Sequence, residues 1–325
     1  MRFRPLRHLL PGLVALVLLA ACHDKDKPQT ELPGGATPEA AVQIQVKYLK
    51  AADFAGFWKH SLPPADYATL RADWPRQHAG DPAPSAEDSA AFEAKMKEFT
   101  DPGAEDKLYA QAKPLLAQWQ RQYSDQLPFI IGVMQGIART ALDQNRTMTP
   151  AQKQQTNEVL DAFVPWAQQQ SSWFDQAKAK QAIDAFVATA RQLDLKHADQ
   201  LRAMDFDTAM QKYGIGFTGL KNVLAVYGLS IDQTFDSVKL TPLESANGHA
   251  RVKIDYTLLG KPLSTEATLV QQDGRWYSED LLQNVRDAHL RLEAPVMAAS
   301  APAPASSARA TTAQAHGATQ PPAKR

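Results

Sequence analysis

The stretch ARVKIDYTLLGKPLSTEATLVQQDGRWY, residues 250–277, decides the fold. Ala250, Val252, Ile254, Tyr256 and Leu258 alternate with Arg251, Lys253, Asp255 and Thr257. Side chains of a strand point alternately to opposite faces, so a period of two means one buried face and one wet face. Asn247-Gly248 ahead of the stretch and Asp273-Gly274 within it are hairpin dipeptides, suited to turns that need positive φ. Leu259-Gly260-Lys261-Pro262 supplies the turn between them. The spacing predicts four antiparallel strands, at about 234–243, 249–259, 263–272 and 275–280, and a closing helix over 281–292.

Upstream the period changes. Residues 37–229 read as helical, which makes the chain α+β: antiparallel helices first, then a sheet region over 230–293. Thr37-Pro38 offers a capping hydroxyl followed by proline at the first helical position. Val42, Val46 and Leu49 form a stripe widened by Ala41 and Tyr48. Asp53 caps a short segment holding Phe54, Phe57 and Trp58, and a polar loop over 78–85 leads to a helix begun by Ser85. Further helices are predicted over 103–126, 129–145, 150–170 and 173–195, punctuated or kinked by Pro114, Pro128, Pro150 and Pro165. Leu49-Lys-Ala-Ala-Asp-Phe54 recurs as Leu201-Arg-Ala-Met-Asp-Phe206, which reads as a repeated helix–aspartate–helix corner.

The two ends differ from this body. Arg2, Arg4 and Arg7 precede an apolar run from Leu9 to Ala21, broken by Pro11 and Gly12. The run is shorter than the roughly 20 apolar residues that span a bilayer, so residues 1–21 read as an export signal. Leu19-Ala20-Ala21-Cys22 resembles the lipobox of bacterial lipoproteins. The resemblance implies that the Cys22 thiol carries diacylglycerol, that the signal is cut before it, and that the new amino terminus is acylated. Each buried methylene contributes about 0.8 kcal/mol, so several chains hold a protein firmly where one holds it weakly. Cys22 is the only cysteine, which leaves no thiol for catalysis or a disulfide. His23 in place of an aspartate after the cysteine implies the periplasmic face of the outer membrane, with Asp24 keeping the inner membrane open. Residues 22–36 read as a flexible tether, and the Ala/Pro/Ser/Thr-rich stretch 294–325 as a disordered tail.

Composition excludes some functions. The chain has 35 basic and 35 acidic residues, and losing the three signal arginines leaves a net charge of −3. Nucleic acid as a partner calls for a concentrated basic face instead. The histidines of the mature chain, at 23, 60, 78, 197, 249, 289 and 316, lie at no metal-ligand spacing. Glu87-Asp88 and Glu105-Asp106 sit near helix starts, where acids complement the dipole. Gly214-Ile-Gly-Phe-Thr-Gly219 fits a dinucleotide fingerprint, but the preceding residues read as helix where that site needs a strand. It is therefore expected to be a glycine corner between two helices, with Ile215 and Phe217 turned inward, and no nucleotide or other cofactor is expected. Gly132-Val-Met-Gln-Gly136 is expected to mark a close crossing of two helices in a soluble core.

TPEAAVQIQVKYLKAADFAGFW (37–58) and the 250–277 stretch together resemble bacterial envelope lipoproteins with a cone-shaped fold like nuclear transport factor two, the Asp273-Gly-Arg-Trp276 turn being the most specific piece. The resemblance implies an opening helix and a short second helix leaning on a curved antiparallel sheet, and brings no activity with it. The leading expectation is a non-enzymatic, lipid-anchored protein that binds a partner protein or an apolar ligand. An enzyme in the mouth of the sheet is the alternative, with Asp255 or His249 as base and Tyr256 and Trp276 completing the pocket. A structural spacer is the third.

Overall fold

In the computed structural model, residues 31–294 are described, except 80, 81, 147 and 170. The export signal, Cys22, the start of the tether and the tail from 295 onward lie outside the described residues. The architecture is α+β, as the change of period predicts.

The chain opens with α1 (Pro38–Lys50), where the Thr37 hydroxyl accepts the Ala40 amide at 3.2 Å. Next comes α2 (Phe54–Ser61), where Asp53 accepts the Gly56 amide at 2.7 Å. Then follow α3 (Pro64–His78), α4 (Ala86–Thr100) begun by Ser85, α5 (Ala104–Tyr123), α6 (Leu127–Gln144) and α7 (Pro150–Gln169). A 3₁₀ turn (Ser171–Phe174) leads to α8 (Gln176–Leu193), α9 (Asp199–Ala203), α10 (Phe206–Val226) and α11 (Ile231–Asp236). Asp205 caps α10 as Asp53 caps α2, and Phe54 and Phe206 both bury at these corners. The echoed hexapeptides thus share their mechanics.

The sheet is an antiparallel meander, β1 (Lys239–Ala246), β2 (His249–Leu258), β3 (Lys261–Gln272) and β4 (Arg275–Ser278), closed by α12 (Glu279–Glu293). The predicted first strand begins too early. The Ser230 hydroxyl accepts the Gln233 amide at 3.2 Å and nucleates α11, so the strand starts only at Lys239. β1 is an edge strand with a bulge between Pro242 and Glu244, devices that discourage pairing with another chain. β4 pairs with residues 269–272 of β3 and, at Trp276, with Gly35.

One core joins α1, α2, α3, α7, α10, α11 and α12 to the sheet. Val42 and Val46 of α1, Phe57 of α2, Phe206 of α10 and Phe235 of α11 share a buried cluster with Val252, Ile254, Leu269 and Trp276 of the sheet and Leu282 of α12. The described residues up to Leu292 form one compact unit; Glu293 and Ala294 are the only described residues of a second.

Both glycine motifs sit differently from expectation. Gly214, Gly216 and Gly219 lie inside the continuous 21-residue helix α10, and no corner forms there. The reason is close approach. A Cβ on Gly214 would meet the Ala52 carbonyl oxygen at 2.3 Å, and one on Gly219 would meet the Thr189 hydroxyl at 2.2 Å. Gly216 faces open space. Gly214→Ala is therefore expected to cost about 1–3 kcal/mol through overpacking. Gly216→Ala should stabilise by about 0.5–1 kcal/mol, the ordinary gain in a helix interior. Urea unfolding of the two variants checks this, and changes of the same sign would contradict it. Gly132 and Gly136 have nothing within contact distance of a Cβ, so α6 makes no close crossing on that side.

Candidate functional site

The predicted pocket residues do not converge. Tyr256 and Trp276 are buried in the core, whereas His249 and Asp255 are on the other side of β2. Strand parity is the reason, since 250, 252, 254, 256 and 258 turn inward and odd positions turn out. Asp255 pairs with Lys253 at 2.8 Å, which outweighs its slight desolvation and lowers its carboxyl below the usual range. His249 is exposed, 4.0 Å from Glu279. The four residues therefore make no joint acid–base site.

A different cleft opens beside the sheet. Residues 261–268 of β3 have no strand on their outer side, and α7 runs along this edge. The cleft between them holds about 370 Å³. Its wall carries Gln45, Gln152, Gln154, Gln155 and Asn284, the hydroxyls of Thr265 and Ser278, and the carboxylates of Glu158 and Asp280. Lysine, arginine, histidine and cysteine are missing from this wall. Gln155 Oε1 accepts the Thr265 hydroxyl at 2.9 Å. The Tyr256 hydroxyl, buried next to Gln155, makes no hydrogen bond of ordinary geometry. Amides and acids without a cation suit a ligand rich in donors; the wall holds no histidine to serve as a base near neutral pH. Among the described residues, no group of three or more His, Cys, Asp or Glu could hold a metal.

A second cluster fixes the segment ahead of α1. The Glu31 carboxylate accepts Lys47 Nζ at 2.6 Å and the Tyr48 hydroxyl at 2.8 Å, and Tyr48 stacks on buried His60 with ring centroids 4.9 Å apart. Gly35 bridges Trp276 through two backbone bonds of 2.9 Å, while Arg275 donates to the carbonyls of Leu32, Pro33 and Gly34. Gly34 has φ +72°, and a Cβ there would meet the Tyr277 ring at 2.6 Å. Residues 31–36, the end of the stretch read as a tether, are thus docked on the fold. Burial pushes the His60 imidazole below its usual value, against the pull of Glu31. Burial alone would raise the Glu31 carboxyl, but its bonds from Lys47 and Tyr48 carry it below the usual range.

Both shifts make acid destabilising. As pH falls through about 6.5 the unfolded chain protonates at His60 before the fold does, and below about 4.5 the same holds for Glu31. Their contributions are full above those values and are lost as pH falls through the lowered folded ones. The amides of Gly34 and Gly35, bonded to the carbonyls of His60 and Trp276, should lose exchange protection between about pH 7.5 and pH 4.5. Unchanged protection factors over that range would contradict the assignment.

The most unusual surface is helix α6. It turns Ile131, Gln135, Ala138 and the buried Leu142 inward, and leaves Phe129 76% exposed, Met134 58%, Ile137 57% and Val133 47%. The inward stripe is the less apolar one. Its contacts with α7 include polar links: Gln135 and Arg139 both donate to Asp161, and Gln168 of α7 donates to the Pro128 carbonyl. A large apolar side chain fully removed from water contributes about 1.5–3 kcal/mol, so this helix forgoes several such contributions in the isolated fold. Contiguous apolar surface of this kind marks a contact site. The sequence signal is FIIGVMQGIARTAL, whose apolar residues predict a helix in the core, whereas the structure leaves one face of it exposed.

No protein-family model matches this chain, no curated protein is significantly similar in sequence, and no solved structure matches it.

Proposed function

We propose that the chain is a lipid-anchored protein of the bacterial envelope that works by binding an apolar partner, with the anchor on Cys22 and the binding surface on helix α6. The observation that carries the binding role is the exposed apolar face of α6: Phe129, Val133, Met134 and Ile137 face outward, while Ile131, Gln135, Ala138 and Leu142 face the fold. The lipobox supports the anchor, and His23 favours the periplasmic face of the outer membrane. A photo-crosslinking residue at Met134 in intact cells tests the reading. It should label a protein or lipid that the same probe at exposed Lys261 does not. Equal labelling at both positions, or none at Met134, would sink it.

The polar cleft supports a second reading, recognition or turnover of a donor-rich ligand at the edge of β3. Glu158→Gln and Asp280→Asn should then weaken binding of such a ligand without changing stability. A ligand screen with no response in the unaltered protein would remove this reading.

A further inference from the structure

We infer that helix α6 lies in the plane of a phospholipid surface, with Phe129, Ile130, Val133, Met134 and Ile137 among the acyl chains. The inference rests on the lipid-anchored reading and names the apolar partner as the bilayer itself.

The chemistry of the face comes first. At 100° per residue the five side chains fall within an arc of about 140°. The arc holds no charge, because the only charged residues of α6, Arg139 and Asp143, project elsewhere; its polar side chains are Thr140, whose hydroxyl donates to the Gly136 carbonyl, and Gln144 at the end of the helix. Arg139 is already paired with Asp161. None of the five side chains carries a hydrogen-bonding group. Protein interfaces ordinarily carry about one hydrogen bond per 100–200 Å², with a polar rim, whereas hydrocarbon asks for none.

Geometry then limits the mode of contact. No helix among the described residues is long and apolar enough to cross a membrane, so α6 contacts lipid by lying along it. Its inner stripe remains on α7, leaving the outer arc free to sink to the level of the headgroup–acyl boundary.

The chain outside the described fold supplies the occupant. The apolar run ends at Ala21, and the docked segment begins at Glu31. The residues 22–30 between them reach at most about 30 Å when fully extended. A fold anchored at Cys22 therefore keeps Glu31 within that distance of the bilayer, and any contact of α6 with lipid is an intramolecular event.

The unique cysteine makes a clean test. Once Cys22 is acylated, an introduced thiol is the only free one. Full-length Ile137→Cys and Lys261→Cys proteins, labelled with bimane, are reconstituted in phosphatidylethanolamine–phosphatidylglycerol vesicles carrying brominated acyl chains. The Ile137 label should lose most of its fluorescence and the Lys261 label should keep it. Both positions are exposed, and matching circular dichroism confirms that the variants fold. Equal quenching at the two positions overturns the proposal. So does disulfide pairing of Ile137→Cys without quenching, which assigns the face to a second copy of the chain. The mass of the Cys22 peptide is read on the same sample. If it is unmodified, the anchored reading fails separately, and quenching of the Ile137 label in a Cys22→Ala background decides the helix alone: present, it stands; absent, it falls.

Discussion

Phe57→Ala is expected to cost about 3–5 kcal/mol and to weaken the sheet and the helices together. Phe57 is 1% exposed and belongs to the cluster that also holds Val252, Leu269 and Trp276 of the sheet. Its ring meets Trp58 edge-on at 5.4 Å, and alanine would leave a cavity that these neighbours fill only in part. Because the stability of a domain of this kind is about 5–15 kcal/mol, the loss is a large share of the total. Tryptophan fluorescence and far-ultraviolet circular dichroism should report one coincident transition at lower urea concentration. A variant whose sheet signal holds while its helical signal shifts would mean that the two halves keep separate cores.

Asp73→Asn is the second large effect. The Asp73 side chain, on α3, is 4% exposed and meets both Arg76 and His289. Arg76 Nη1 donates to one oxygen at 2.9 Å, and His289 Nδ1 of α12 lies 2.7 Å from the other. Arg76 also reaches the Leu292 carbonyl at 3.3 Å. Nearer the start of α12, Arg286 binds Asp66 of α3 through two bonds of 2.7 and 2.8 Å. The closing helix is therefore fastened to α3 at two points. A hydrogen bond to a charged group contributes about 1.5–3 kcal/mol, and asparagine removes the buried charge that faces the Arg76 guanidinium. A loss of about 2–3 kcal/mol is expected, with faster amide exchange along α12. A change below about 0.5 kcal/mol would place the Asp73 cluster among surface features without structural weight.

The elements that sequence patterning disclosed are those whose signal is local. The alternation from Ala250 to Leu258 placed β2 and its inner face, and Thr37, Asp53 and Ser85 marked helix starts that their side chains do cap. The quoted ends also meet, since α1 packs on β1, β2 and β4. What local signals miss is the identity of the packing partner. Gly214 and Gly219 look like a corner until Ala52 and Thr189 are seen against them. Leu32-Pro33-Gly34-Gly35 has linker composition, yet Arg275, Trp276 and Tyr277, more than 230 residues away, hold it. α6 shows the same gap, because apolar periodicity reveals a face that wants to leave water and not what will cover it. The candidate pocket failed for a reason already visible: Asp255 belongs to the wet face of the alternation that placed Tyr256 inside. The amide-lined cleft had no comparable signal, for it joins α1, α7, β3 and α12 from distant parts of the chain.

We propose that this protein works from a membrane surface to which Cys22 holds it. The most direct test is the mass of the amino-terminal peptide from protein isolated out of its own cell envelope. The expected peptide begins at Cys22, with diacylglycerol on the thiol and an acyl chain on the amine. A peptide that begins elsewhere, or a Cys22 with a free thiol, would contradict it.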